Sequence, residues 1–249
     1  MKNFTNYIFR FVVTILVSIA PNFAAAGIVT IYDDLSLVVY SNDDEISGYY
    51  YARNDQFGCS FFFFSDKTLS DSKTDGANKR LDMLTFDFPP NKLVFTYGQR
   101  DPRFDIPGEL YLNGNDLTLR TSQPQPGCMS VAGLFDAAPG ERGAMVYSAV
   151  NKLDAIGIRV VTKRARVYKA PTDKASKGYL LPHDIVVSLN RRGIFEYVRH
   201  VNPDMAIDGS DPQKVVTGWV RKSDLENPFP SSPLKELQSS NRKREVPHD

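Results

Sequence analysis

The sequence predicts an all-β protein made of two domains. Three observations lead there. Short runs of β-branched and aromatic residues, separated by turn residues, recur through residues 28–135 without a helical period. A second series of short apolar runs fills residues 157–226, behind the break Ala137-Ala138-Pro139-Gly140. Two cysteines, Cys59 and Cys128, are placed to close the first series. Composition agrees with a folded domain: 42% of the 249 residues are hydrophobic and 24% charged, which excludes wholesale disorder and a polytopic membrane protein.

Residues 1–26 read as a secretory signal peptide. Lys2 and Arg10 supply the basic start, Phe11 to Ala20 the apolar core, and Ala24-Ala25-Ala26 a cleavage site after Ala26. The apolar core is about half the ~20 residues a membrane-spanning helix needs. The expected location is therefore periplasmic or secreted, without a stable membrane anchor. Cleavage removes two of the 30 basic residues and none of the 29 acidic ones, turning a net charge of +1 into −1. That balance argues against nucleic acid as a partner.

In an exported chain, Cys59 and Cys128 are expected to form a disulfide. Closing a loop of this length stabilises by roughly 4 kcal/mol on the chain-entropy model. Together with His183, His200 and His248 they give no zinc-like spacing, so no metal and no cofactor is expected.

The β-rich domain is expected over 27–136. Its strands are read at Ile28–Tyr32, Leu35–Tyr40, Ile46–Ala52, Cys59–Phe64, Leu81–Phe86, Lys92–Tyr97, Leu110–Leu112 and Leu117–Leu119, the last two joined by the hairpin signal Asn113-Gly114-Asn115-Asp116. Such spacing suggests a disulfide-closed antiparallel sandwich or small barrel. In Phe61-Phe62-Phe63-Phe64, alternation puts Cys59, Phe61 and Phe63 on one face and Phe62 and Phe64 on the other. Two phenylalanines do not belong in water, so a loop, helix, second domain or partner must cover that second face. Residues 66–80 and 98–107 are read as loops, and 137–156 as a linker with a short helix over Ala144–Leu153.

Residues 157–226 resemble the bacterial SH3-like family of small barrels. Ala165 to Thr172 is similar to its opening strand and Pro-containing turn, and Gly178 to Leu189 to its second and third strands. Phe195 to Arg199 stands in the place of its fourth strand, and Thr217-Gly218-Trp219-Val220 with Leu225 is similar to its closing segment. The resemblance implies an SH3-like barrel at 157–228, acting as a binding module and expected to fold independently. The chain departs at Ala170, at Pro182-His183-Asp184 and in the long 201–214 loop. The family has no fixed ligand motif. Tyr168, Tyr179, Tyr197 and Trp219 are therefore binding candidates from their aromatic character, with Arg100 and Arg103 as candidates for an acidic target. Residues 229–249 are polar and charged and read as a disordered tail.

No catalytic residues are expected. The sequence lacks G-x-S-x-G, H-E-x-x-H, G-x-x-x-x-G-K-[ST] and G-x-G-x-x-G. A cysteine peptidase needs a free thiolate beside a histidine, and both cysteines are expected to be paired. A two-carboxylate glycosidase stays open, because acids pair in space rather than in sequence. The expectation is an exported, non-catalytic binding protein of the bacterial envelope, recognising an envelope protein or a peptidoglycan peptide. The alternatives are a periplasmic inhibitor or immunity protein and, third, a divergent cell-wall hydrolase.

Overall fold

The computed structural model describes residues 27–33, 37–90, 92–201 and 215–230. The expected signal peptide, most of the expected 201–214 loop and residues 231–249 of the expected tail lie outside the described residues. Among those described, all regular structure is β-strand or short 3-10 turn, and no helix is long and apolar enough to cross a membrane.

Nine strands make the first sheet: β1 (Gly27–Tyr32), β2 (Val38–Ser41), β3 (Ile46–Arg53), β4 (Gly58–Ser65), β5 (Lys73–Asp75), β6 (Asn78–Phe86), β7 (Ile106–Asn113), β8 (Asp116–Thr121) and β9 (Val146–Ala155). Each pairs antiparallel with its neighbour, β9 pairs back onto β1, and β4 pairs with β6 at Phe62↔Phe86 and Phe64↔Leu84. All but β5 thus form a closed up-and-down barrel of eight strands, and short β5 lies beside β6 as an outer edge.

Alternation sorts the barrel's side chains. Tyr50, Phe61, Phe63, Leu81, Leu110, Leu117 and Leu119 fill the interior. Gly48 faces Phe63 across the β3–β4 pair, and a Cβ there would come within 2.1 Å of the ring, so the missing side chain admits it. Gly114 takes φ +61° in the β7–β8 hairpin, where the turn requires the left-handed region. The Cys59–Cys128 disulfide ties the 122–145 loop to the barrel interior, and Phe135 from that loop stands edge-to-face on Tyr50 and Phe61 as a plug.

The second unit is a five-stranded sheet in the order β15 (Thr217–Arg221), β14 (Phe195–His200), β13 (Ile185–Arg192), β10 (Gly157–Val161), β16 (Leu225–Glu226). A ribbon of β11 (Ala165–Val167) and β12 (Gly178–Leu180) joins it through the Tyr168–Trp219 bridge. Val161, Ala165, Val167, Leu180, Val186, Val198 and Val220 form its small inner core. Buried Glu196 on β14 is fully partnered: Arg191 reaches it at 2.7 Å, Arg159 at 3.7 Å, and the Ser188 hydroxyl donates to it at 2.7 Å.

The covered face of Phe62 and Phe64 turns out to be the largest shared feature of the chain. Val29, Ile31, Val38, Phe62, Phe64 and Phe86 on the barrel's outer wall form one core with Ile158, Val160, Ile185, Val187 and Val201 of the second sheet. One face of the second sheet is thus packed against the barrel rather than exposed, a contact that an isolated second domain would lack.

Other expectations change for similar reasons. Residues 146–155, expected within a helix and linker, form β9, because the barrel needs an eighth strand between β1 and β8. This moves the end of the first domain from 136 to 155. Residues 92–96 form no strand, although Phe95 is buried. Its N–H donates to Glu226 of β16 at 2.9 Å. The 66–80 segment, expected as a loop, contains the β5–β6 hairpin. Phe229, expected in the tail, is buried against Phe62 and Phe86.

Phe62 touches Tyr49, Phe86, Phe88 and Phe229. Phe62→Ala should cost about 3–5 kcal/mol, read by urea denaturation, with barrel and second sheet losing signal in a single transition. A cost below about 1 kcal/mol, or two separated transitions, would contradict a shared core.

Candidate functional site

The two units do not meet everywhere. Between them lies a cleft of about 190 Å³ lined by Tyr49, Tyr51, Ser60, Phe62, Asp87, Phe88, Phe95, Val160, His183 and Ile185. Strand alternation places Tyr49 and Tyr51 of β3, and Ser60 and Phe62 of β4, on the barrel's outer face in the facing pairs Tyr49↔Phe62 and Tyr51↔Ser60. Asp87 and Phe88 follow the last residue of β6. His183 sits in the turn before β13 with φ +75°, in the left-handed region that few residues other than Gly, Asn, Asp and His adopt.

The rings form an unbroken arc. Tyr51 stacks by Tyr49 at 6.5 Å, Tyr49 meets Phe62 at 4.9 Å, Phe62 meets Phe88 at 5.5 Å, Phe88 meets Phe95 at 5.4 Å, and Phe95 meets the His183 imidazole at 4.9 Å between centroids. Within this arc Asp87 is the one carboxylate lining the cleft. Its Oδ1 accepts the Phe88 N–H at 2.7 Å, and among the described residues its Oδ2 has only the Ser60 hydroxyl, at 3.5 Å. Among the described residues, no Lys or Arg pairs with it.

Burial raises the Asp87 carboxyl from 3.8 to about 6, although the Phe88 N–H and Ser60 bonds pull the other way. The Tyr49 hydroxyl is pushed well above its ordinary value, mainly by burial and secondarily by the nearby Asp87 charge. An acid shifted by desolvation in a cleft at a domain junction marks a candidate site.

The sequence-derived candidates lie elsewhere. Tyr168, expected at the surface, is buried and stands edge-to-face with Phe195. Tyr197 and Trp219 are partly buried and meet each other at 5.3 Å on the outer face of β14 and β15. Tyr179 is 53% exposed and carries the Arg164 guanidinium over its ring at 3.9 Å, beside Arg166 and Lys177. Arg100 is committed internally, bonded to both Asp105 oxygens and stacked over Tyr97 at 3.8 Å. Arg103 is exposed and paired with Asp101. None of these side chains lines the cleft, whose residues come from six separated stretches of chain. The one local signal is Phe86-Asp87-Phe88, an acid set between two buried rings.

Among the described residues no group of three or more His, Cys, Asp or Glu could hold a metal ion. No protein-family model, curated protein or solved structure matches the chain.

The raised Asp87 carboxyl carries a stability prediction. Between about pH 4 and about pH 6 the folded chain keeps a proton that the unfolded chain releases, so stability falls as the pH rises through this window. Asp87→Asn keeps the acceptor for the Phe88 N–H and removes the charge. It should stabilise the fold by up to about 3 kcal/mol at pH 7.5, and the gain should vanish near pH 3.5. Urea melts at the two pH values decide this; equal stabilities at pH 7.5 would contradict it.

Proposed function

We propose that the chain is an exported, non-catalytic binding protein of the bacterial envelope that recognises a protein or cell-wall peptide through the cleft. The observation that carries this reading is the aromatic arc closing around a single acid. Ligand sites are mostly apolar hollows with a few placed polar groups, and they favour domain junctions. The SH3-like resemblance of residues 157–226 agrees with a binding role, and the disulfide agrees with export.

Several features weigh against catalysis. Both cysteines are in the disulfide. Among the described residues Ser60 contacts the Asp87 carboxylate, at 3.5 Å, and no histidine bonds to it, so the Ser–His pair of a serine hydrolase is not formed. A glycosidase needs two carboxyl groups across its cleft, and one lines this cleft.

The inhibitor or immunity reading has its own supporting observation, the Tyr197–Trp219 pair with partly buried Arg199 on the same strand face. Trp, Tyr and Arg are the residues that most often anchor protein interfaces.

Co-sedimentation with purified sacculi tests the main reading. The chain should bind saturably, and Tyr51→Ala should weaken binding at least five-fold without loss of fold. Release of soluble fragments by the pure protein would make it a hydrolase. Retention unchanged by Tyr51→Ala but lost in Trp219→Ala would move recognition to the second sheet.

A further inference from the structure

Asp87 is expensive to keep. Its ionised form is desolvated, it has no cationic partner among the described residues, and the β-barrel does not need its charge for any strand pairing. An ionised carboxylate accepts hydrogen bonds at about four lone-pair positions, and here Oδ2 has one long contact at 3.5 Å. Every other wall of the cleft is aromatic, aliphatic or hydroxyl-bearing, apart from His183.

The missing partner has a definable chemistry. Aromatic faces carry negative potential and attract ammonium groups, and a lone carboxylate selects a cation over a neutral group of equal size. The unmet capacity of Oδ2 calls for an N–H donor, which a primary ammonium has and a quaternary one lacks. Size agrees, since a cavity of 150 Å³ holds a benzene molecule and this one measures about 190 Å³.

We propose that the cleft between the barrel and the second sheet is a receptor for a primary alkylammonium group, such as a lysine-like side chain of a peptide. Asp87 takes the charge and the Tyr49–Phe95 arc takes the carbon chain. The assignment rests on the binding role argued above and names the group that role would capture. The further titratable groups lining the pocket are Tyr49 and Tyr51 from β3 and His183; outside the lining, Asp184 acts electrostatically on Tyr49 and stands 3.7 Å from His200. Asp184 adds to the negative field at Tyr49. His183 opposes a cation whenever it is protonated, so it needs its own control.

Calorimetric titration of the purified folded chain with n-butylammonium, tetramethylammonium and 1-butanol provides the test. At pH 7.5, n-butylammonium should bind saturably, with 1-butanol and tetramethylammonium each at least ten-fold weaker. At pH 5, where an acid with a pKa of about 6 is mostly protonated, its affinity should fall about ten-fold. Asp87→Asn should reduce butylammonium to the level of 1-butanol and abolish the pH dependence while preserving the fold. His183→Asn, which tolerates the same backbone conformation, should leave most of the pH dependence in place.

Equal binding of 1-butanol, tighter binding of tetramethylammonium, undiminished binding in Asp87→Asn, or no saturation at 50 mM probe would each overturn the assignment. Ammonium binding without retention on sacculi would sustain the receptor and sink the wall-binding function. Retention that depends on Tyr51 but not on Asp87 would do the reverse.

Discussion

The structure depends on burying the phenylalanine wall of the barrel. Phe62, Phe64 and Phe86 point away from the barrel interior, and a closed eight-stranded barrel has no inner layer left to cover them. Each ring left in water would forgo about 2–3 kcal/mol of burial. The second sheet resolves this by laying Ile158, Val160, Ile185 and Val187 across the wall. The chain's two apparent domains are thus two layers around a common core, with a filled barrel on one side and a small valine-rich core on the other. Phe229, downstream of the last strand, and the Phe95–Glu226 bond extend the same seam.

The cleft follows from that seam. A curved barrel wall and a separate twisted sheet meet fully only along part of their length. Where they part, at the end of β6 and the turn before β13, the lining is still drawn from residues that pack the seam. Phe62, Phe88 and Phe95 therefore serve both the core and the cleft wall. Asp87 is the residue that packing does not explain. Proteins tolerate such locally unfavourable groups mainly at functional sites, and this one stands in an aromatic hollow between the layers.

Much of the fold was legible in the sequence because strand alternation is local. The split of Cys59, Phe61 and Phe63 from Phe62 and Phe64, the Asn113–Asp116 hairpin and the disulfide can all be read from neighbouring residues and compartment. The role of Val146–Ala155 was not. Its mixed burial gives no clean period of two, and only barrel closure makes it a strand. Phe95 shows the opposite case, an apolar run buried without strand pairing. The cleft was illegible for a topological reason, since its residues approach only after β3, β4 and β13 are placed. Aromatic character alone pointed to Tyr168, which packing hides, and to Tyr197 and Trp219, which lie on a different part of the sheet.

Native-state hydrogen exchange of a Val187→Ala variant tests the shared core most directly. Val187 is fully buried on the second sheet's barrel-facing side, and exchange resolves the opening free energy of each strand separately. If the layers form one cooperative unit, the slowest amides of β4 and β13 open with the same free energy, and the variant lowers both equally. Loss of protection in β13 with β4 unchanged would show that the barrel stands without the sheet and would contradict the account.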